Sequence, residues 1–343
     1  MKTIIKTLLV SIASLSLMFS VNAGELTVSG TAKATYNATS GNLADNGIGV
    51  TNELNFTASG EMDNGFTWAY SMEMDTAAGG TSTNNDDTQI VLTMNDMGKL
   101  KFCVSECGTN KKCSWDASAY TSMSDTGTSY GITYPGDAGA ASTSTIQYHS
   151  PELPFGTTAS FAYNTNMGHD SASGNEGGVS GNSRQEYSLV TKPIDGLTVS
   201  AHYNKVNDYE DGVDTEDQLE EGGSYGLKYS AGNVTIGYGK SYQAPEMLEA
   251  DRAATAVDFY ENTGYSVGYA VNDAVSVSYT REESTANQST STNTTYDVEM
   301  DSIQIAYNVG GATLSLARAD VENASYTQNN DLVETIIAMS FAF

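Results

Sequence analysis

Sixteen short runs along this chain alternate apolar and polar side chains with a period of two, and that repetition limits the fold more than any other feature. In an extended strand successive side chains point to opposite faces, so each run presents one greasy face and one hydrated face. Near the start Leu26, Val28, Ala32, Ala34 and Tyr36 alternate with Thr27, Ser29, Thr31, Lys33 and Thr35. At the other end Val333, Thr335, Ile337, Met339, Phe341 and Phe343 share a face. Runs such as Phe66/Trp68/Tyr70/Met72, Leu197/Val199/Ala201/Tyr203 and Tyr265/Val267/Tyr269/Val271 fill the interval.

The connections carry a second regularity, because tight turns and long polar loops alternate strictly. The tight ones are rich in turn chemistry: Asp63-Asn64-Gly65, Pro193-Ile194-Asp195-Gly196, Asn272-Asp273 and Gly310-Gly311 among them. The long ones fall near 37–50, 75–87, 104–142, 164–183, 207–223, 242–258, 283–296 and 322–331. A soluble sandwich has no reason to sort its loops onto one rim, whereas a barrel crossing a membrane does. The fold predicted is all-β: a transmembrane antiparallel barrel of about sixteen strands. Its first strand must pair with its last, since an open edge in hydrocarbon leaves unpaired backbone groups costing several kcal/mol each. At this strand number side chains do not fill the interior, and water enters.

Lys2 and Lys6 precede an apolar run from Leu8 to Phe19 and then Val21-Asn22-Ala23, which reads as an export signal cut after Ala23. Residues 1–23 are thus expected as signal peptide and 24–343 as one barrel domain, carried to the bacterial outer membrane. The formal charge of −27, from 42 acids against 15 bases, excludes nucleic acid as a partner. It also favours cations in any aqueous passage through the barrel.

Cys103, Cys107 and Cys113 lie within eleven residues of one another, in a compartment where disulfides persist. One bridge can form; Cys107 with Cys113 is expected, because both read as loop residues and Cys103 ends a strand. Three thiols without a nearby histidine do not match a zinc site.

The opening GELTVSGTAKATYN (residues 24–37), the mid-chain turn and strand KPIDGLTVSAHYN (192–204) and the closing IIAMSFAF (336–343) resemble the trimeric general porins of Gram-negative bacteria, especially the alphaproteobacterial type. The likeness covers the chain after the signal. It implies a homotrimer, passive diffusion of small hydrophilic solutes, and a third loop folded into the lumen as a constriction, here about 104–142. It also implies that the terminal aromatic Phe343 is read by the barrel-assembly machinery, and that Asp116 and Asp125 are the loop's acidic contribution. The three cysteines depart from that family pattern.

Strand parity sends Lys33, Lys101, Arg184 and Lys228 toward water, with Glu53, Glu73 and Glu186 on the same side. A basic wall facing an acidic loop would set up a transverse field that orients dipolar solutes. No cofactor is expected, although Ca²⁺ or Mg²⁺ at Asp208, Glu210, Asp211 and Asp214 would relieve repulsion or bridge to lipopolysaccharide and outer-membrane lipid; these acids lack the ordered spacing of an EF-hand loop. Two other functions fit the pattern: a surface anchor or adhesin working through calcium-binding acidic loops, and a substrate-specific channel. A lipid-cleaving enzyme does not fit, because the parity of His149 and His202 points them inward, away from the bilayer.

Overall fold

The computed structural model describes residues 22–23, 26–41, 46–76, 83–104, 113–121, 144–164, 183–207, 216–245, 247–248, 257–288 and 296–343. Sixteen of its strands form the wall: β1 (Thr27–Gly41), β2 (Asn46–Glu61), β3 (Thr67–Thr76), β4 (Thr83–Thr93), β5 (Lys99–Val104), β6 (Thr145–His149), β7 (Thr158–Asn164) and β8 (Ser183–Thr191) make one half. The other half is β9 (Leu197–Asn207), β10 (Glu221–Ala231), β11 (Val234–Ala244), β12 (Val257–Ala270), β13 (Val275–Gln288), β14 (Val298–Val309), β15 (Ala312–Glu322) and β16 (Leu332–Ala342). Each strand pairs antiparallel with the next, and β16 returns to β1 with Leu332 opposite Gly41 and Ala342 opposite Thr31. Two further bonds seal that seam, Gly30 N–H to Phe343 O at 2.8 Å and Phe343 N–H to Gly30 O at 3.0 Å. The cylinder therefore has no free edge, as hydrocarbon demands.

The faces are inverted relative to a soluble protein. Tyr203, Leu227, Ile236, Tyr265, Val267 and Ile305 are exposed on the outside, while Ser200, Asn204, Ser241, Asn262, Gln304 and Glu334 are buried on the inside. The outer aromatics run from strand to strand: Phe161, Tyr187 and Tyr203 are neighbours at 5.2 and 6.3 Å, and Tyr225, Tyr238 and Tyr265 at 6.1 and 5.3 Å. Such belts suit an interface, where a ring is apolar along its body and wet at its hydroxyl. No helix among the described residues is long and apolar enough to cross a membrane; the crossing is made by strands.

The tight turns form as expected. Gly310 and Gly311 both take positive φ, 57° and 88°, as a two-residue hairpin turn requires. Asn272 closes its turn by accepting from the backbone of Ala274 and Val275 at 2.8 and 3.0 Å. The long loops are more strand-like than their composition suggests. The first, expected over 37–50, is ladder through most of its described residues, with Ala38 opposite Asn46. Likewise β13 runs to Gln288, well into the expected loop 283–296. Backbone pairing does not need an apolar side chain, so alternation fades where a strand leaves the lipid while its hydrogen bonds continue. Asn22–Ala23 add a short rung beside Gly60 and Glu61, and Glu216–Gln218 pair with Met247–Leu248.

Candidate functional site

The inner wall of β10 to β12 carries a row of residues with no side chain: Gly226 on β10, Gly237 and Gly239 on β11, and Gly264 and Gly268 on β12. A segment of the long connection between β5 and β6, residues 113–121, lies in the space they leave. A Cβ on Gly239 would sit 2.5 Å from the Trp115 ring, and one on Gly264 2.5 Å from its far edge. Trp115 is completely buried there.

Polar residues beside the glycines hold the segment's backbone. Ser114 N–H donates to Ser200 Oγ (2.7 Å), Ala117 N–H to Ser266 Oγ (3.0 Å), Ala119 N–H to Ser278 Oγ (2.7 Å) and Tyr120 N–H to Gln304 Oε1 (2.9 Å). The Ser266 hydroxyl in turn donates to Trp115 O at 3.2 Å. A non-helical segment inside a barrel must satisfy its backbone somewhere, and this wall supplies the partners at nearly every second residue. Inward-facing Val298, Met300, Val321, Leu332 and Ile336 of β14 to β16 form an apolar patch on which Tyr120 packs.

The charged residues singled out in the sequence occupy different surroundings. Lys33 reaches over the Tyr120 ring, 6.0 Å from its centre. Glu53 accepts from Thr31 Oγ1 at 3.1 Å. Lys101 is buried beside a cavity of about 460 Å³ that Gln89, Lys99 and His149 also line. Arg184 and Glu186, both buried, lie 3.3 Å apart. Arg184 also meets Glu220 at 3.2 Å and Asn204 Oδ1 at 2.9 Å, and His202 Nε2 stands 3.7 Å from Glu186.

Asp116 and Lys228 come together, though not as a carboxylate and ammonium pair. Lys228 Nζ donates to the backbone carbonyl of Asp116 at 2.7 Å, while the Asp116 carboxylate accepts from Ser118 N–H and Oγ at 2.9 and 2.6 Å. Lys228 is thus spent on holding the segment. Asp125 and the acidic set Asp208, Glu210, Asp211 and Asp214 lie outside the described residues. No metal-holding cluster occurs among the described ones.

The expected bridge between Cys107 and Cys113 is corrected by the structure. Cys103 is the disulfide-bonded cysteine, and Cys113 is a free, buried thiol; Cys107 itself lies outside the described residues. Cys113 belongs to the docked segment, with its sulfur 2.4 Å from where a Cβ on Gly226 would sit and Ser200 Oγ donating to it at 3.7 Å. Burial pushes this thiol up to about 11.

Sequence reasoning missed Trp115, its glycine seat and the serines that hold it. The signal was present, since the inward parity of β10 to β13 reads Ser-Gly, Gly-Gly-Ser, Gly-Ser-Gly and Ser-Ser-Thr. Small residues on a lumen wall mean that something else fills the room.

The family model described as Gram-negative porin matches residues 8–323. No curated protein matches the chain in sequence. Among solved structures it is similar to OmpF of Salmonella typhi in complex with daunomycin, with TM-score 0.70 and 15% identity over 93% of this chain and 98% of that one. It is also similar to a porin refined at 1.8 Å (TM-score 0.63, 16% identity, 93% and 100% covered). A third is the trimer form of OmpT from Vibrio cholerae (0.65, 14%, 94% and 100%). At these identities the structural likeness speaks for the fold, and the match over residues 8–323 speaks for the family.

Proposed function

The chain belongs to the family of Gram-negative porins and forms an outer-membrane channel; from that premise we propose that it is a passive, cation-preferring diffusion channel for small hydrophilic solutes and ions, working as a homotrimer without cofactor or catalysis. The observation that carries the reading is the pairing of a polar inner face with a segment, 113–121, that lies inside the barrel and is bonded to the wall of β9 to β14. Segment 113–121 covers the inside of β10 to β14, so solutes would pass along the remaining wall. Glu53 and Lys99 belong to that remainder and Lys33 borders it, while Lys101, Arg184 and Glu186 are buried behind it. An apolar molecule there would displace bound water without replacing its interactions, which favours polar cargo.

Cation preference rests on the acid excess, 42 against 15. Fixed negative charge concentrates counter-ions at the mouth, though charges beyond ~8 Å are largely screened at physiological salt. Trimer formation draws on the trimer form of OmpT, a protein of like fold. Export by residues 1–23, recognition of Phe343 by the assembly machinery and contact with lipopolysaccharide belong to the same proposal.

Reversal potentials of the purified protein in planar bilayers across a salt gradient test it. A cation-selective reversal potential is expected, and Lys101→Glu should strengthen it. Clear anion preference would defeat the selectivity claim, and an unchanged permeability ratio in the variant would remove Lys101 from the conducting path.

A further inference from the structure

The loop from β15 to β16, residues 323–331, does not stand away from the rim. It folds inward, and its Tyr326 hydroxyl meets Ser284 Oγ at 2.6 Å. Ser284 is on the lumen face of β13, the same parity as Ser278 and Thr280, which bond the docked segment. Its one hydroxyl proton goes to Asn262 Oδ1 at 2.6 Å, so the Tyr326 phenol is the donor to Ser284. Asn262 Nδ2 donates onward to Ser241 Oγ at 3.0 Å, which completes a polar row across β13, β12 and β11. The Tyr326 ring lies 5.5 Å from that of Tyr260 on β12. Burial pushes the phenol up to about 12, so it stays a donor at any physiological pH.

The loop is built to hold that pose. Ala324 is fully buried, its N–H donates to Asn330 O at 2.9 Å, and Asn330 Nδ2 returns a bond to Ala324 O at 2.9 Å. Asn323 accepts from Asn329 N–H at 3.1 Å and donates to Asp297 O at 3.1 Å. Ser325 and Tyr326 both take a φ of 56°, a left-handed conformation that residues with side chains seldom adopt. Two left-handed residues in succession turn the chain back toward the barrel axis.

A loop that starts at β15 and touches β12 reaches over three strand spacings, roughly 15 Å along the inner wall at the mouth. Ser284 is four residues beyond Thr280, about 13 Å along the strand from the point where Ser118 docks. Tyr326 and Tyr120 pack against the same apolar patch. The inner loop and the rim loop are therefore two successive obstructions resting on one wall.

We propose that residues 323–331 form a second narrowing of the channel, in series with segment 113–121, and that Tyr326 sets solute size at the long-loop rim. The proposal rests on the channel reading above. The test is single-channel conductance together with liposome swelling by sugars of increasing size, on wild type, Tyr326→Ala, Tyr326→Phe and Ser284→Ala.

Tyr326→Ala should raise conductance by on the order of 1.3-fold and trisaccharide entry by roughly twofold, because an obstruction in series limits the largest solutes most. Tyr326→Phe keeps the ring and should stay near wild type in mean conductance, with more current noise from the released anchor. Ser284→Ala loses the anchor together with the bond to Asn262 and should show the same added noise as Tyr326→Phe; it carries the test through its noise if Tyr326→Ala does not fold. Folded variants that all match wild type in conductance, noise and sugar cut-off would overturn the proposal. A wild-type protein that passes no current would instead refute the channel reading.

Discussion

Replacing Gly237 by alanine should dislodge the inner segment while leaving the barrel whole. A Cβ at that position would sit 1.6 Å from the Trp115 carbonyl oxygen and 2.6 Å from Ser266 Oγ. Carbon and oxygen come to rest at about 3.3 Å, so the carbonyl must retreat by more than ~1.5 Å. That retreat takes the Ser266 to Trp115 bond, now 3.2 Å, beyond hydrogen-bond range, and strains the Ala117 N–H bond to the same hydroxyl at 3.0 Å. Two such bonds are worth about 1 kcal/mol each. Lifting part of the buried indole from its seat adds a fraction of the ~3–5 kcal/mol that full truncation of a core tryptophan costs. About 3 kcal/mol in all would weaken docking roughly a hundredfold. The strand ladder is untouched, since Gly237 still pairs with Lys228 and Ser266 through main-chain atoms. Bilayer recording should show a noisier current and a relaxed size limit, while heat-dependent gel migration reports an intact barrel. Gly47→Ala is the control, because nothing lies within 4 Å of its added carbon. If Gly237→Ala gave the wild-type current and size limit, the close glycine wall would not be what seats the segment.

Two further outcomes follow from buried groups. Cys113 should resist alkylation: with its thiol held up to about 11, the reactive thiolate is a small minority at pH 8, and its share rises tenfold per pH unit until that value is reached. Labelling measured by intact mass should accelerate steeply from pH 8 to 10 and become fast on denaturation; rapid labelling of the native protein at pH 7 would contradict the burial. Arg184→Met should lower the denaturation temperature, because Glu186, only 1% exposed, loses the guanidinium 3.3 Å away, a change that costs about 3–5 kcal/mol in comparable buried pairs. Adding Glu186→Gln should recover most of the loss, and a double variant no more stable than the single one would show that the two residues are not coupled.

The wall was readable from the chain because its rule is local. A residue's parity in a strand decides whether it meets lipid or water, so Leu227 and Lys228 can be told apart without knowing their neighbours. The interior was less readable, because what fills it is set by contacts far apart in sequence. Trp115 looks like any loop tryptophan until Gly239 and Gly264, on two other strands, are known to leave room for it. The cysteines show the same limit. Spacing made Cys107 and Cys113 equivalent loop residues, whereas docking against Gly226 and Ser200 separates Cys113 from the others. The connection near 322–331 reads in sequence as one more long polar loop, yet Tyr326 is drawn inward by an apolar patch spread over β14 to β16.

These long-range contacts divide the inner wall into unlike halves. On β10 to β16 most inward residues are small, hydroxylic or apolar, and several are committed to the two infolded loops: Lys228, Ser266, Ser278 and Gln304 to the inner one, Ser284 to the rim loop. Glu282 and Glu334 are buried on this side, away from water. On β1 to β8 basic and acidic side chains share the inward parity, with Lys33, Glu53 and Lys99 reaching the lumen and Lys101, Arg184 and Glu186 buried. A passage bounded on one side by the docked segment, whose Asp116 carboxylate is turned onto Ser118, and on the other by this charged wall is polarised across its width. In the salt-gradient recording, selectivity should then respond more to reversing one exposed wall charge, Lys33 or Lys99, than to neutralising Asp208, Glu210, Asp211 and Asp214, because screening over ~8 Å favours charges beside the permeating ion.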